Sequence, residues 1–150
     1  MPYKAKYFSA FELVPKSLFD LRGEKAIELL DKELLIALDY VRECLGKVTV
    51  NNWKSGGKFQ FRGIRTAESS DYSVTSQHAY GKAVDFDVEG MTAEEVNQWL
   101  IDNREATELR AISFIEMGMS WVHMDTRPDD KNNLTCWWTD GRTKVFSRSV

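Results

Sequence analysis

The sequence of 150 residues is long enough to bury a sizeable core, and we expect one domain spanning residues 1–150. Its apolar fraction of 43% and charged fraction of 29% are ordinary for a globular protein, which argues against disorder and, with no long uncharged apolar stretch, against a membrane span. The net charge of −3 provides no general basic field, so nucleic acid is not an expected partner.

The chain begins Met-Pro-Tyr-Lys-Ala-Lys and lacks the apolar core and small-residue cleavage site of a secretory signal. We therefore expect it to be cytoplasmic as synthesised, and we expect a monomer. Cys44 and Cys136 are far apart in sequence and neither has a partner at metal-ligand spacing, so both are predicted to be free thiols.

Apolar residues at helical spacing predict a long helix from about Glu24 to Leu45. Gly46 should end it, because glycine accepts the left-handed backbone conformation that is common just past a helix. A strand at about Val48–Asn51 is expected to follow. The apolar stripe that should face the core comprises Ile27, Leu30, Leu34, Ala37 and Val41.

The segment Asn52–Gln77 contains a Gly-Gly pair and a run rich in serine, threonine and aspartate, so it is predicted to be irregular apart from a short strand near Phe59–Phe61. Long structured loops in compact domains are often functional. The next strand, about Lys82–Val88, alternates apolar and acidic side chains. One of its faces should pack, while the other carries Asp85 and Asp87 and is available for chemistry.

Thr92 followed by Glu95 forms a capping box, which predicts a helix to about Asn103. This helix should cover one side of a sheet. Two further apolar runs, Ala111–Met117 and Ser120–Thr126, are separated by a turn that contains glycine and are predicted to pair as a hairpin.

A final strand is predicted at about Lys144–Ser147. The charged run Arg127–Lys131 is interpreted as a solvated turn, and Trp137 as a packing residue. The order of elements predicts an α+β fold, with a small, mostly antiparallel sheet and helices packed on one face.

The only two histidines of the chain lie in short motifs that could hold one metal ion. His78 stands in Ser-Gln-His-Ala-Tyr-Gly-Lys-Ala-Val-Asp, which ends at Asp85, and His123 stands in Trp-Val-His-Met-Asp. Three protein ligands with an open fourth position define a catalytic zinc site, and two imidazoles with one carboxylate suit zinc better than calcium or magnesium. We therefore predict that His78, Asp85 and His123 bind one Zn²⁺ ion per chain.

The Ser-x-His-x-x-Gly-x-Ala-x-Asp pattern of residues 76–85, followed by aromatic-Val-His-x-Asp at residues 121–125, resembles the zinc D-alanyl-D-alanine carboxypeptidase family. That family includes phage L-alanyl-D-glutamate endolysins and shares its fold with the Hedgehog signalling domain. Asn-Asn-Trp at residues 51–53, the Gly-Gly pair and Arg-Gly-Ile-Arg at residues 62–65 are similar to its phage-encoded branch. The resemblance covers about Val48 to Arg127. It implies an α+β protein with one zinc ion that acts on peptides of bacterial peptidoglycan.

Amide hydrolysis at such a site needs a carboxylate within hydrogen-bond reach of the attacking water, and the candidates are Glu116 and Asp125. Glu116 lies in an apolar run, where a carboxylate is costly unless it is paired or protonated. Asp125 follows His123 by two residues on the same strand face and could instead orient that histidine or a nearby arginine. In the resembled family this carboxylate often precedes the last histidine by three residues, a position that Ser120 occupies here. We prefer Glu116.

Peptidoglycan stem peptides carry free carboxylates, which an arginine can grip with two parallel hydrogen bonds. Arg62 and Arg65 are the candidates, and the resemblance favours Arg62 because a family arginine lies some sixteen residues before the first histidine. The other predicted substrate-binding residues, which could donate hydrogen bonds or wall a cleft, are Ser76, Gln77, Tyr80 and Trp121.

We therefore expect a zinc metallopeptidase that hydrolyses an amide bond in peptidoglycan stem peptides, as a carboxypeptidase or an endopeptidase, in phage or prophage cell-wall lysis. It would act on the wall after release from the cell or as a component of the virion. The alternative is a non-catalytic module of the same fold, in which zinc is a structural staple and the cleft binds a partner. A serine or cysteine hydrolase is disfavoured, because both histidines are assigned to the metal and neither cysteine has a neighbouring base.

Overall fold

The computed structural model describes residues 3–149, which form an α+β fold with a six-stranded mixed sheet and three α-helices. The helices are α1 (Lys16–Arg22), α2 (Lys32–Leu45) and α3 (Ala93–Asp102). The strands are β1 (Val48–Thr49), β2 (Ala83–Val88), β3 (Phe114–Met117), β4 (Val122–Asp125), β5 (Leu134–Trp138) and β6 (Thr143–Phe146).

The strands are arranged in the order β1-β2-β4-β3-β5-β6. Strands β3 and β5 run parallel, whereas the other four neighbouring pairs are antiparallel. The prediction of a mostly antiparallel sheet is thereby corrected to a mixed sheet. The parallel pair arises because the chain leaves β4, passes to the far side of β3 and only then forms β5.

Alternation along β2 gives the sheet one apolar and one polar face. Val84 and Phe86 belong to a single buried cluster that also contains apolar residues of α2 and α3, so both helices pack against this side of the sheet. Asp85 and Asp87 point to the opposite side, as the sequence pattern predicts. Helices α2 and α3 therefore support the sheet from one side and leave its polar face to the loop that precedes β2.

The predicted helix from Glu24 to Leu45 is in fact two elements. A 3-10 helix, Gly23–Leu29, ends at Leu30, whose backbone is extended, and α2 begins after Asp31. The Asp31 side chain accepts a hydrogen bond from the Glu33 N–H, as a helix N-cap does. The apolar spacing continues across this break, which is why the sequence pattern did not reveal it. Gly46 ends α2 with a positive φ of 102°, as predicted.

The loop between β1 and β2 is irregular apart from a 3-10 turn at Trp53–Ser55, and the strand predicted near Phe59–Phe61 is wrong. Phe59 instead closes a local turn: its N–H donates to the Asn52 side chain, and its carbonyl accepts from Asn52 N–H and Trp53 N–H. These hydrogen bonds occupy the backbone groups that a neighbouring strand would use.

The predicted second half of the fold is confirmed by α3, with its Thr92–Glu95 capping box, by the antiparallel β3–β4 hairpin and by β6. Strand β5 and the short helix α1 were not predicted from the sequence. Cys44 and Cys136 are free thiols. Within residues 3–149, no helix combines the length and apolar character that crossing a membrane requires.

Gly81, in the turn between His78 and β2, allows a test of how tightly this turn packs against the 3-10 helix Gly23–Leu29. Its φ is +70°, and an added Cβ would lie 2.1 Å from the carbonyl oxygen of Leu29, whereas Gly90 has a φ of +80° with open space around it. Both alanine substitutions incur a left-handed backbone cost of about 1 kcal/mol. We expect Gly81→Ala to lower the free energy of unfolding by about 2 kcal/mol more than Gly90→Ala in urea titrations. Equal losses in the two variants would contradict this packing.

Candidate metal centre

The polar face of the sheet aligns one predicted ligand on each of two adjacent strands. Asp85 on β2 lies opposite His123 on β4, and His123 lies opposite Glu116 on β3. Side chains at directly opposed positions have Cβ atoms about 5 Å apart on the same face. The strand register therefore brings an aspartate, a histidine and a glutamate into one row. Trp137 on β5 extends the row by one more strand.

His78 reaches this row from the loop that precedes β2. The Asp85 N–H donates to the Arg62 carbonyl at 2.7 Å, so the loop lies along β2. The next carbonyl, that of Gly63, accepts a hydrogen bond from His78 Nδ1 at 2.9 Å. Since a carbonyl can only accept, Nδ1 donates the proton of this bond, and Nε2 is the nitrogen that faces the ligand group. That Nε2 lies 3.3 Å from Asp85 Oδ1.

His123 is held from behind by a buried carboxylate. Its Nε2 lies 2.8 Å from Asp125 Oδ2, while its Nδ1 lies 2.8 Å from Asp85 Oδ1. Arg127 in turn grips Asp125 with two hydrogen bonds of 2.8 and 2.6 Å, and its guanidinium lies 3.5 Å from the centre of the Phe114 ring. Asp125 is completely buried. This chain fixes the orientation of the His123 ring, as carboxylates behind metal-binding histidines commonly do.

His78, Asp85 and His123 form a buried group that can hold a metal ion. One ligand atom from each residue lies within 4.8 Å of the other two. Each imidazole has its second nitrogen engaged elsewhere, by the Gly63 carbonyl or by Asp125. The donor set therefore fits a metal ion: one nitrogen per ring and one carboxylate oxygen converge on the same point.

The charges of His123 and the neighbouring carboxylates strongly affect one another. Burial by itself lowers the pKa of His123, but the hydrogen bonds and negative charges of Asp125 and Asp85 outweigh it and raise that pKa from 6.5 to about 9. Burial raises the pKa of Asp85, but hydrogen bonds from His123 and His78 outweigh it and hold the pKa of that carboxyl well below its usual range. Without a metal ion, His123 is thus a cation between two carboxylates at neutral pH.

An open groove passes over the site. It consists of two adjoining cavities of about 870 and 850 Å³ that have Arg65, Asp71, Asp85 and Trp121 in common. The first, which we name the ligand cavity, is lined by the two histidines and Glu116 and is walled by aromatic rings. The second, the loop cavity, lies between the loop preceding β2 and the Ser120–Trp121 turn.

The two candidate bases occupy different surroundings. Glu116 is half-buried, lines the ligand cavity and has its Oε2 3.9 Å from His123 Nδ1. Asp125 has both oxygens engaged, by His123 and by Arg127, and none of its surface is exposed. Ser120, at the position where the resembled family often has its carboxylate, lines the loop cavity.

Four of the predicted substrate-binding residues line the groove. Arg65 and Trp121 line both cavities, Arg62 lines the loop cavity and Ser76 lines the ligand cavity. The Ser76 hydroxyl also accepts a hydrogen bond from the His78 N–H at 3.2 Å.

The other two lie outside the walls of the groove. Tyr80 is 60% exposed and lines a separate shallow cavity beside Leu18 and Leu29. Gln77 contributes its carbonyl to the turn after His78, where it accepts from Tyr80 N–H and Lys82 N–H.

The sequence patterns did not identify Arg127, Phe114 or Trp137 as residues of the site. The prediction that Arg127 belongs to a solvated turn is wrong, because this residue pairs with Asp125 and stacks on Phe114. Phe114 and Trp137 stack with ring centres 6.3 Å apart and line the ligand cavity. The available signal was the His-x-Asp-x-Arg spacing, which alternation places on one strand face.

Comparison with models of protein families, with curated proteins and with solved structures gives no match. The chemistry of this site and the sequence motifs that build it therefore carry the functional proposal.

The raised pKa of His123 predicts that metal binding releases a proton. A metal must displace the proton on Nδ1, so affinity should rise about tenfold per pH unit between pH 6.5 and 8 and level off near pH 9. Titration calorimetry with zinc in two buffers of different ionisation enthalpy should give about one proton released per zinc ion at pH 7.5. Binding that is independent of pH and releases no proton would contradict the arrangement of His123 between two carboxylates.

Proposed function

We propose that the protein is a zinc peptidase that hydrolyses an amide bond in peptidoglycan stem peptides. The observation that carries this proposal is the buried group of two histidines and one aspartate beside an accessible carboxylate, Glu116, in an open groove. Two imidazoles with one carboxylate suit zinc better than calcium or magnesium. The 3.3 Å between His78 Nε2 and Asp85 Oδ1 is also about the spacing of two ligands on a tetrahedral zinc ion.

The substrate class rests on the sequence motifs. The patterns at residues 76–85 and 121–125 resemble those of the zinc D-alanyl-D-alanine carboxypeptidases and phage L-alanyl-D-glutamate endolysins, and the α+β fold with a mixed sheet is compatible with that family. We therefore propose cell-wall peptides as substrates, a Hedgehog/DD-peptidase-like fold, and a role in phage or prophage lysis.

Glu116 is the proposed general base. When bound, zinc lowers the pKa of a coordinated water to about 7 and polarises a substrate carbonyl. Glu116 Oε2, near His123 and open to the groove, takes the proton of the attacking water and delivers it to the leaving amine. Asp125 has no free oxygen for this task, so we propose that it orients His123.

The groove walls position the peptide. Trp121 and the stacked Phe114–Trp137 pair line the same cavity as Glu116 and offer apolar surfaces for substrate side chains. Arg65 presents a cation on the groove beside Asp85, where it can donate to a carbonyl or carboxylate of the substrate.

Glu116→Gln tests the assignment. It removes the proton acceptor but keeps the shape, so release of new amino groups from peptidoglycan should fall by about 100-fold or more, while zinc affinity changes less than about threefold. Glu28→Gln, a substitution of an exposed carboxylate on the 3-10 helix before α2, is the matched control and should retain activity.

The wild-type assay decides between the two classes of function. Release of amino groups that stops on chelation and returns with zinc supports the peptidase. A folded, zinc-loaded protein that releases none would contradict it and favour a non-catalytic binding module. Loss of zinc in Glu116→Gln would make Glu116 structural.

A further inference from the structure

The groove continues past the metal centre in two directions. The ligand cavity and the loop cavity meet at Arg65, Asp71, Asp85 and Trp121, and each extends away from these shared residues. Asp85 is itself one of the three proposed ligands, so the site of chemistry lies where the two cavities join. A peptide bound over the site therefore has room on both sides.

Neither cavity offers an unpaired arginine away from this junction. In the loop cavity, Arg62 Nη1 lies 2.9 Å from Asp87 Oδ2, and its guanidinium stacks on Phe59 with 4.3 Å to the ring centre. In the ligand cavity, Arg127 is bound to Asp125 through two hydrogen bonds. A carboxypeptidase holds the terminal carboxylate of its substrate, for which a free guanidinium fork is the suitable partner.

The arginine with unused hydrogen-bonding capacity stands at the junction. Arg65 Nη2 is 3.6 Å from Asp85 Oδ2, too far for a hydrogen bond. Its Nε–H is buried and has no hydrogen-bond partner within residues 3–149. The Arg65 side chain is 18% exposed and lines both cavities, so it can donate to a substrate oxygen at the junction.

On the basis of the proposed peptidase function, we propose that the protein is an endopeptidase whose groove holds the chain on both sides of the cleaved bond. Arg65 donates to a peptide oxygen next to that bond. Water adds its hydroxyl to the acyl carbon as the C–N bond breaks, and the departing nitrogen gains the remaining proton. The carboxyl-terminal product therefore keeps at least two residues of the original peptide.

Two matched stem pentapeptides test this inference. Both are N-acetylated, and one ends in a free carboxylate while the other ends in an amide; each is made with lysine and with diaminopimelate at the third position. Zinc-loaded protein should cleave both at the same internal bond, with kcat/KM values within about threefold. Mass spectrometry of the products identifies the bond, and intact peptidoglycan is digested in parallel.

Release of only the carboxyl-terminal residue, with the amide cleaved roughly 100-fold more slowly, would overturn the inference and leave the peptidase proposal standing. The same holds if the peptidoglycan stem peptides have lost only their carboxyl-terminal residue. Absence of any cleavage in peptides and peptidoglycan would overturn the peptidase proposal and the inference together.

Binding gives a second readout that does not need turnover. In the Glu116→Gln background, tryptophan fluorescence can follow peptide binding, because Trp121 and Trp137 line the groove. Arg65→Ala should weaken binding of the amide peptide by about tenfold. Arg62→Ala should change the ratio of acid to amide affinity by less than about threefold. A selective loss for the free-acid peptide in Arg62→Ala would locate a terminal-carboxylate site there and overturn the inference.

Discussion

The register between β2, β4 and β3 is the constraint on which the rest of the site depends. Asp85, His123 and Glu116 share a row only because Asp85 pairs with His123 and His123 pairs with Glu116. A slip by one residue would turn a whole strand over and bury its polar set. The register is held from the other face, where Val84 and Met124 oppose each other within the apolar core. Packing on the apolar face of the sheet thereby positions the metal-site residues on its polar face.

The second requirement is that buried charges are paired. Asp125 has no exposed surface, and an isolated carboxylate there would be strongly destabilising. Arg127 and His123 together satisfy both of its oxygens, and the Arg127 guanidinium packs on the Phe114 ring. A rigid His123 ring is one condition for a metal site that binds in a single geometry. The His78 ring is oriented in a similar way, by the hydrogen bond from its Nδ1 to the Gly63 carbonyl in the loop before β2.

The ligand group was predictable because its signals are local. Alternation along Lys82–Val88 and Trp121–Asp125 is enough to put Asp85 and His123 on the polar strand faces, and the chain has only two histidines to choose from. The break at Leu30–Asp31 was not predictable, since the apolar spacing runs through it. The parallel β5 depends on which side of β3 the chain passes, and no local pattern encodes that path. The ion pairs of Arg127 with Asp125 and of Arg62 with Asp87 likewise depend on how the chain folds in three dimensions.

Zinc content of the purified, zinc-supplemented protein, measured together with Asp85→Asn and Asp87→Asn, tests the metal centre most directly. The two aspartates lie on the same face of β2, but only Asp85 belongs to the ligand group. We predict about one zinc per chain in the wild type and in Asp87→Asn, and less than about a tenth of that in Asp85→Asn after dialysis. A folded wild type without zinc, or equal zinc in Asp85→Asn, would contradict the assignment.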